Sequence, residues 1–141
     1  MKRIGISGLT GMIGKNLISQ YAGDPQINRS LQLVAFTRRE SDTACLARSG
    51  VEYRRIDYTD PSSFAGKLED IDGFLHLAGL TKAVIPAEYY RVNVEGTARL
   101  LDALSHYGTG IKHFIFVSST AASGPTACPE KPKTEEDPCN P

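Results

Sequence analysis

Gly8, Gly11 and Gly14 recur every third residue in the segment SGLTGMIG, which follows an apolar run, RIGIS, and opens a helical pattern. At a strand-to-helix junction this spacing suits a dinucleotide. Gly8 allows the sharp turn out of the strand, Gly11 lets a pyrophosphate approach the backbone, and Gly14 lets the helix pack close to the sheet. Free N–H groups of the segment, which includes Thr10, Met12 and Ile13, then face the phosphates together with the positive end of the helix dipole. A tight turn without a ligand would also use glycine, but the strand and helix on either side favour the binding role. The rival phosphate motif, G-x-x-x-x-G-K-[ST], does not fit, because Leu9 stands where its first glycine belongs and Lys15 is followed by Asn16.

The end of the second strand selects the dinucleotide, since an NAD site usually offers a carboxylate there to the ribose hydroxyls. Here the chain reads AFTRRE, with Thr37 near the acid's place and Arg38 and Arg39 directly after it. A guanidinium on a 2′-phosphate makes charge-assisted hydrogen bonds of roughly 1.5 to 3 kcal/mol, about ten- to hundredfold in affinity. NADP(H) is therefore expected over NAD(H), which stays the alternative; two solvated loop arginines would leave no such preference.

Other chemistries find less support. Sixteen basic and 16 acidic side chains cancel, which argues against nucleic-acid or membrane-surface binding carried by bulk charge. Cys45, Cys128 and Cys139 are odd in number and far apart, so neither a disulfide framework nor a metal site is indicated. The first apolar run is broken by glycine and polar residues, and no stretch approaches the length of a membrane span. A cytoplasmic protein is the expectation.

The elements that must hold the glycine segment follow from periodicity. Short β-branched runs alternate with helical patterns, which predicts parallel strands joined by crossover helices in one α/β domain. The 141 residues suffice to bury roughly 70% of the unfolded surface. RIGIS, LQLVAFT, VEYRRID, GFLHLAG and IKHFIFVSS read as five strands. A first helix runs from about Gly11 to Tyr21 with Ile13, Leu17 and Tyr21 on one face, and GDPQINRS reads as a loop. SDTACLARSG is a short helix capped by Ser41 or Asp42 and stopped at Gly50. Asp60 and Pro61 start another. The longest helical pattern, from about Ala87 to His106, puts Val94, Ala98, Leu101 and Leu104 on one face. After Gly124 prolines and acids dominate, so residues 1–124 form the binding domain and 125–141 a loop leading elsewhere.

With these residues in view, the chain resembles the extended branch of the short-chain dehydrogenase/reductase superfamily, the NAD(P)-dependent epimerases, dehydratases and related reductases. SGLTGMIG is similar to that branch's T-G-x-x-G-x-x-G, with Ser7 in the threonine place. The resemblance implies a Rossmann-like doubly wound sheet of order 3-2-1-4-5. RRIDYTD matches the element in which Asp57 would bond the adenine amino group and Tyr58 flank the ring. HLAGLT matches the close of the fourth strand, so that Leu77, Ala78, Gly79 and Leu80 would line the ribose and nicotinamide, while His76 reads as a strand-end histidine in a satisfied hydrogen bond. NVEGTARLL matches a helix in which Asn93 supports the site and Gly96 permits close packing. At the end of the fifth strand the resemblance puts Val117 at the cofactor and makes Ser119 the catalytic hydroxyl that hydrogen-bonds the substrate oxygen. Ser118 and Thr120 are its neighbours, and Ser123 departs from the tyrosine usual before the glycine.

The family next has E-x-x-P-x-x-P, which TEEDPCNP resembles, and then Y-x-x-x-K on a helix, where tyrosine supplies the proton and lysine lowers its pKa. None of the six tyrosines in this sequence has lysine four residues on. The reading is thus the N-terminal part of an oxidoreductase, epimerase or dehydratase, truncated before the catalytic helix and substrate lobe and inactive alone. It moves hydride, in the parent, between NADP(H) and a small-molecule hydroxyl or carbonyl substrate, with the parent a homodimer. Sugar nucleotide, steroid and flavonoid-like ketone stay open. A silent NADP-binding sensor or interaction protein is the alternative, and a methyltransferase is disfavoured because Thr37 and Arg38 displace the acid it needs.

Overall fold

The run LQLVAFT becomes β2 (Leu31–Thr37), and its side chains alternate between two cores. Leu33 and Ala35 enter one with Ile6, Leu9, Ile18, Leu46 and Val51. Val34 and Phe36 enter the other with Ile56, Phe64, Leu68, Phe74, Leu100 and Leu104. A strand apolar on both faces requires helices above and below it, which is why such strands run parallel. Each large side chain so buried contributes roughly 1.5 to 3 kcal/mol.

The computed structural model describes residues 1–126 and 128–140. β1 (Lys2–Ser7), β2, β3 (Glu52–Arg55), β4 (Gly73–His76) and β5 (His113–Phe116) form one parallel sheet in the order β3-β2-β1-β4-β5, as the family resemblance implies. Ser7 pairs with Phe36 on one side and His76 on the other. The central strands therefore stop at one level, and the loops after them share one edge.

Helices α1 (Met12–Gly23), α2 (Pro25–Ser30) and α3 (Ala44–Arg48) precede a continuous helical stretch over 86–107. That stretch is α4 (Pro86–Tyr89), a π-helical segment (Tyr90–Glu95) and α5 (Gly96–Tyr107). In α1 the buried positions are Gly14 and Ile18, with Leu17 and Tyr21 packed at the margin and Ile13 exposed.

Three local expectations are corrected. The polar loop at GDPQINRS is a helix, α2, because the Asp24 carboxylate accepts from the N–H groups of Gln26 and Ile27 with Pro25 in its first turn. Neither Ser41 nor Asp42 occupies the cap position of α3, which is Thr43; the Asp42 carboxylate instead accepts from Ala44 N–H at 2.9 Å. The buried stripe of α5 is Leu100, Ala103 and Leu104, while Val94, Ala98 and Leu101 are exposed. β5, the most apolar run in the sequence, lies exposed along its length.

At the opposite edge of the sheet, Arg3 and Arg54 both meet Glu52 and Asp70 at 2.6 to 3.0 Å.

Candidate functional site

β1 ends at Ser7, and Gly8 turns the chain with φ +77°. A Cβ there would stand 2.5 Å from the Ala78 nitrogen, so the turn presses against the loop after β4 and admits glycine alone. A Cβ on Gly14 would stand 2.2 Å from the Leu9 carbonyl oxygen, which lets α1 begin directly beneath the turn. Gly11 differs. Its side-chain position meets only the Gly8 carbonyl at 3.2 Å, and as the N-cap of α1 it supplies no capping side chain. The first N–H groups of a 12-residue helix are thus left toward an open face.

That face is one side of a cavity of about 630 Å³, within the range of small-molecule sites. Gly8, Thr10, Gly11, Met12 and Ile13 form one wall; Thr37, Arg38 and Tyr58 the next; Leu77, Ala78, Gly79 and Leu80 a third. Thr37 is 4% exposed, and its Oγ1 has no hydrogen-bond partner among the described residues. The Tyr58 hydroxyl is also buried and unpartnered. Burial pushes its phenol up to about 12, and Ser7 lies near enough to oppose this weakly without meeting hydrogen-bond geometry. Two orphaned hydroxyls in a cavity wall, beside bare helix N–H groups, fit a ligand with ribose hydroxyls and phosphates.

Behind the wall runs a chain of hydrogen bonds. Ala78 N–H donates to Ser7 Oγ at 3.3 Å, and Ser7 Oγ lies 2.5 Å from His76 Nδ1. His76 Nε2 lies 3.0 Å from Thr97 Oγ1, which donates to the Asn93 carbonyl at 2.7 Å. Each hydroxyl has one proton, so the sequence of donors assigns the imidazole proton to Nε2 and leaves Nδ1 to accept from Ser7. Burial holds the His76 pKa below its ordinary value of 6.5, which favours the neutral ring the chain needs. His76 is therefore a positioning residue with both nitrogens engaged.

Arg38 also borders a second, more polar cavity of about 440 Å³, which holds Arg39 and Asp57. Asp57 Oδ1 accepts from the Thr59 N–H and hydroxyl at 2.8 and 2.6 Å, bonds that hold its carboxyl below the usual range. Asn93 stands behind the third wall and bonds Leu80. Val117 donates its N–H to the His76 carbonyl beyond β5. Ser119 is exposed outside the cavity walls, with its Oγ accepting from Ala121 N–H at 3.2 Å.

A fourth wall was not foreseen from the sequence. Arg91 and Val92 of the π-helical segment and Gly96 and Arg99 of α5 also line the cavity. Among the described residues, no group of three His, Cys, Asp or Glu side chains could hold a metal ion, and no helix is long and apolar enough to cross a membrane.

The model of a family described as the NAD dependent epimerase/dehydratase family matches residues 4–141. Sterol demethylase protein B of Methylococcus capsulatus is 30% identical over 121 residues, covering 84% of this chain and 35% of that protein. The UDP-Glc/GlcNAc 4-epimerase of Campylobacter jejuni shares the fold with a TM-score of 0.78 at 21% identity, over 100% of this chain and 44% of that one. A short-chain dehydrogenase/reductase superfamily protein of Agrobacterium tumefaciens with bound NAD has a TM-score of 0.72 at 26% identity, over 99% of this chain and 39% of that one. The chain spans between 24% and 36% of the length of the curated relatives it matches.

Proposed function

The chain belongs to the NAD dependent epimerase/dehydratase family, and from that premise we infer that its larger cavity binds NADP(H) for the oxidoreduction of a small-molecule hydroxyl or carbonyl. One observation carries the choice of cofactor. Arg38 borders both cavities, directly after Thr37, where an NAD site usually offers a carboxylate. A 2′-phosphate beside its guanidinium would gain charge-assisted hydrogen bonds, whereas the ribose hydroxyls of NAD would meet no acid there. The Agrobacterium tumefaciens neighbour carries NAD, so the prediction separates this chain from that relative.

In this reading Gly8 to Ile13 hold the diphosphate, Asp57 and Tyr58 the adenine, and Leu77 to Gly79 the nicotinamide side. The nicotinamide, when bound, gives or takes hydride. Ser119 hydrogen-bonds the substrate oxygen, and Val117 borders the cofactor. Proton transfer falls to a Y-x-x-x-K pair that these 141 residues do not contain, so the polypeptide alone binds nucleotide weakly and turns nothing over. The parent is a cytoplasmic homodimer. A catalytically silent NADP-binding sensor is the second reading; a reading frame that continues into Y-x-x-x-K supports the enzyme, and a stop codon after Pro141 the sensor.

Fluorescence titration with NADPH and NADH tests the cofactor. NADPH is expected to bind about tenfold or more tightly, and Arg38→Ala to abolish the difference. Equal binding, or tighter NADH binding, overturns the assignment.

A further inference from the structure

Arg55, at the end of β3, reaches across to the loop that follows β2. Its guanidinium donates to the Arg38 carbonyl at 2.6 Å, the Ser41 carbonyl at 3.0 Å and Thr43 Oγ1 at 3.1 Å. The guanidinium carbon lies 5.2 Å from the centre of the Tyr53 ring, and Lys67 Nζ donates to the Arg55 carbonyl at 2.7 Å. Among the described residues it forms no ion pair with a carboxylate. One planar fork thus clips three points of the segment Arg38–Thr43.

This loop has little else to fix it. Its own bonds are a turn from Ser41 N–H to the Arg38 carbonyl at 3.2 Å, the Asp42 contact with Ala44 and, where the loop enters α3, the Ala47 N–H on the Thr43 carbonyl at 3.1 Å. A carbonyl held at Arg38 fixes the peptide plane from which the next residue departs, and with it the directions open to the Arg38 and Arg39 side chains. Solvated arginines sweep many rotamers, and ordering one on a ligand costs entropy. Holding the main chain removes part of that cost before the ligand arrives.

We propose that Arg55 is a positioning residue for cofactor selectivity: by clipping the Arg38–Thr43 loop it aims the arginines at the 2′ position of the adenosine ribose. The proposal rests on the NADP(H) reading and adds to it a residue that need not touch the nucleotide. Arg55 also stands at the polar cavity with Arg38, Arg39 and Lys67 against Glu40, Asp57 and Asp60, four positive charges to three negative, so the local balance favours an anion only slightly.

Chemical-shift titration of the 141-residue chain with 2′,5′-ADP and with 5′-ADP tests this, because it reads weak binding and follows the loop amides directly. The wild type is expected to prefer 2′,5′-ADP about tenfold or more, and Arg38→Ala to lose that preference. Arg55→Ala should reduce the preference at least threefold, leave 5′-ADP affinity within twofold, and broaden or shift the amides of Arg38 to Thr43 in the free protein. Arg55→Lys, a point charge that cannot span three acceptors, should fall between; it carries the test if Arg55→Ala does not fold. A wild-type preference that Arg38→Ala removes and both Arg55 variants retain overturns the role of Arg55 and leaves the cofactor assignment standing. A wild type with no preference, or with no binding of either probe, overturns both.

Discussion

Asn93 satisfies both main-chain groups of Leu80 with one side-chain amide: Oδ1 accepts from the Leu80 N–H at 2.7 Å, and Nδ2 donates to the Leu80 carbonyl at 3.0 Å. The loop after β4 has no neighbouring strand at this point, so the amide stands in for a ladder partner. Asn93→Ala should destabilise the chain by about 1 to 2 kcal/mol, because two half-buried groups lose their partner at once. Asn93→Asp should cost more, since it sets an anion against the Leu80 carbonyl. Urea unfolding measures both, and equal stability of Asn93→Asp and wild type would contradict the pairing.

The chain of bonds through His76 makes stability depend on pH in a definite direction. The folded pKa lies below the ordinary 6.5, so the unfolded chain takes up the proton first. Stability is then full above the unfolded pKa and falls as pH drops through it toward the folded value. Unfolding free energy measured between about pH 8 and 5 should decline for the wild type and decline less for His76→Gln. Parallel profiles would show that the ring is not held neutral.

The three glycines should separate by experiment. Gly14→Ala would normally gain helix propensity of about 1 kcal/mol, but its methyl would stand 2.2 Å from the Leu9 carbonyl, and the clash should win by roughly 2 to 4 kcal/mol. Gly8→Ala adds a positive φ to a 2.5 Å clash with Ala78 and should be as damaging. Gly11→Ala, with 3.2 Å to its nearest neighbour, should cost at most about 1 kcal/mol in stability while weakening nucleotide binding. Thermal unfolding and nucleotide titration on the same samples distinguish these outcomes.

Acid should release the far edge of the sheet. The Arg54 guanidinium, followed by the charges of Arg54 and Arg3, holds the Asp70 carboxyl down to about 2 from 3.8. The depressed folded value means that this contribution is intact above the unfolded pKa and is lost as pH falls through about 2. Asp70 is half exposed, so screening limits the effect to about 1 kcal/mol. Asp70→Asn should flatten acid unfolding between about pH 4 and 2; an unchanged acid limb would remove the cluster from the account.

Much of this was legible in the residues. β2 coincides with LQLVAFT because a strand buried on both faces is apolar without interruption, and Gly8 and Gly14 announce contacts that allow no Cβ. The strand order came from family resemblance and could not be had from periodicity alone. α2 carries at Asp24-Pro25 the same start signal as Asp60-Pro61, which opens a 3-10 turn over Pro61–Phe64; α2 buries no side chain, so no apolar stripe marks it in the sequence. The stripe of α5 was misread for a different reason. A π-helical segment holds more than 3.6 residues per turn, so it rotates everything after it relative to a phase set at Val94. The wall formed by Arg91, Val92 and Arg99 joins residues of the π-helical segment and of α5, and no local pattern signals it.

β5 offers Phe114, Ile115 and Phe116, with Val117 directly after them, to solvent beside an edge with no further strand among the described residues. Such a surface is colloidally adhesive: two molecules meeting there can extend the ladder and shed water together. Light scattered by the 141-residue polypeptide should therefore climb faster than its concentration. Its outermost ribbon, more than its melting temperature, would decide how concentrated a clear solution can become.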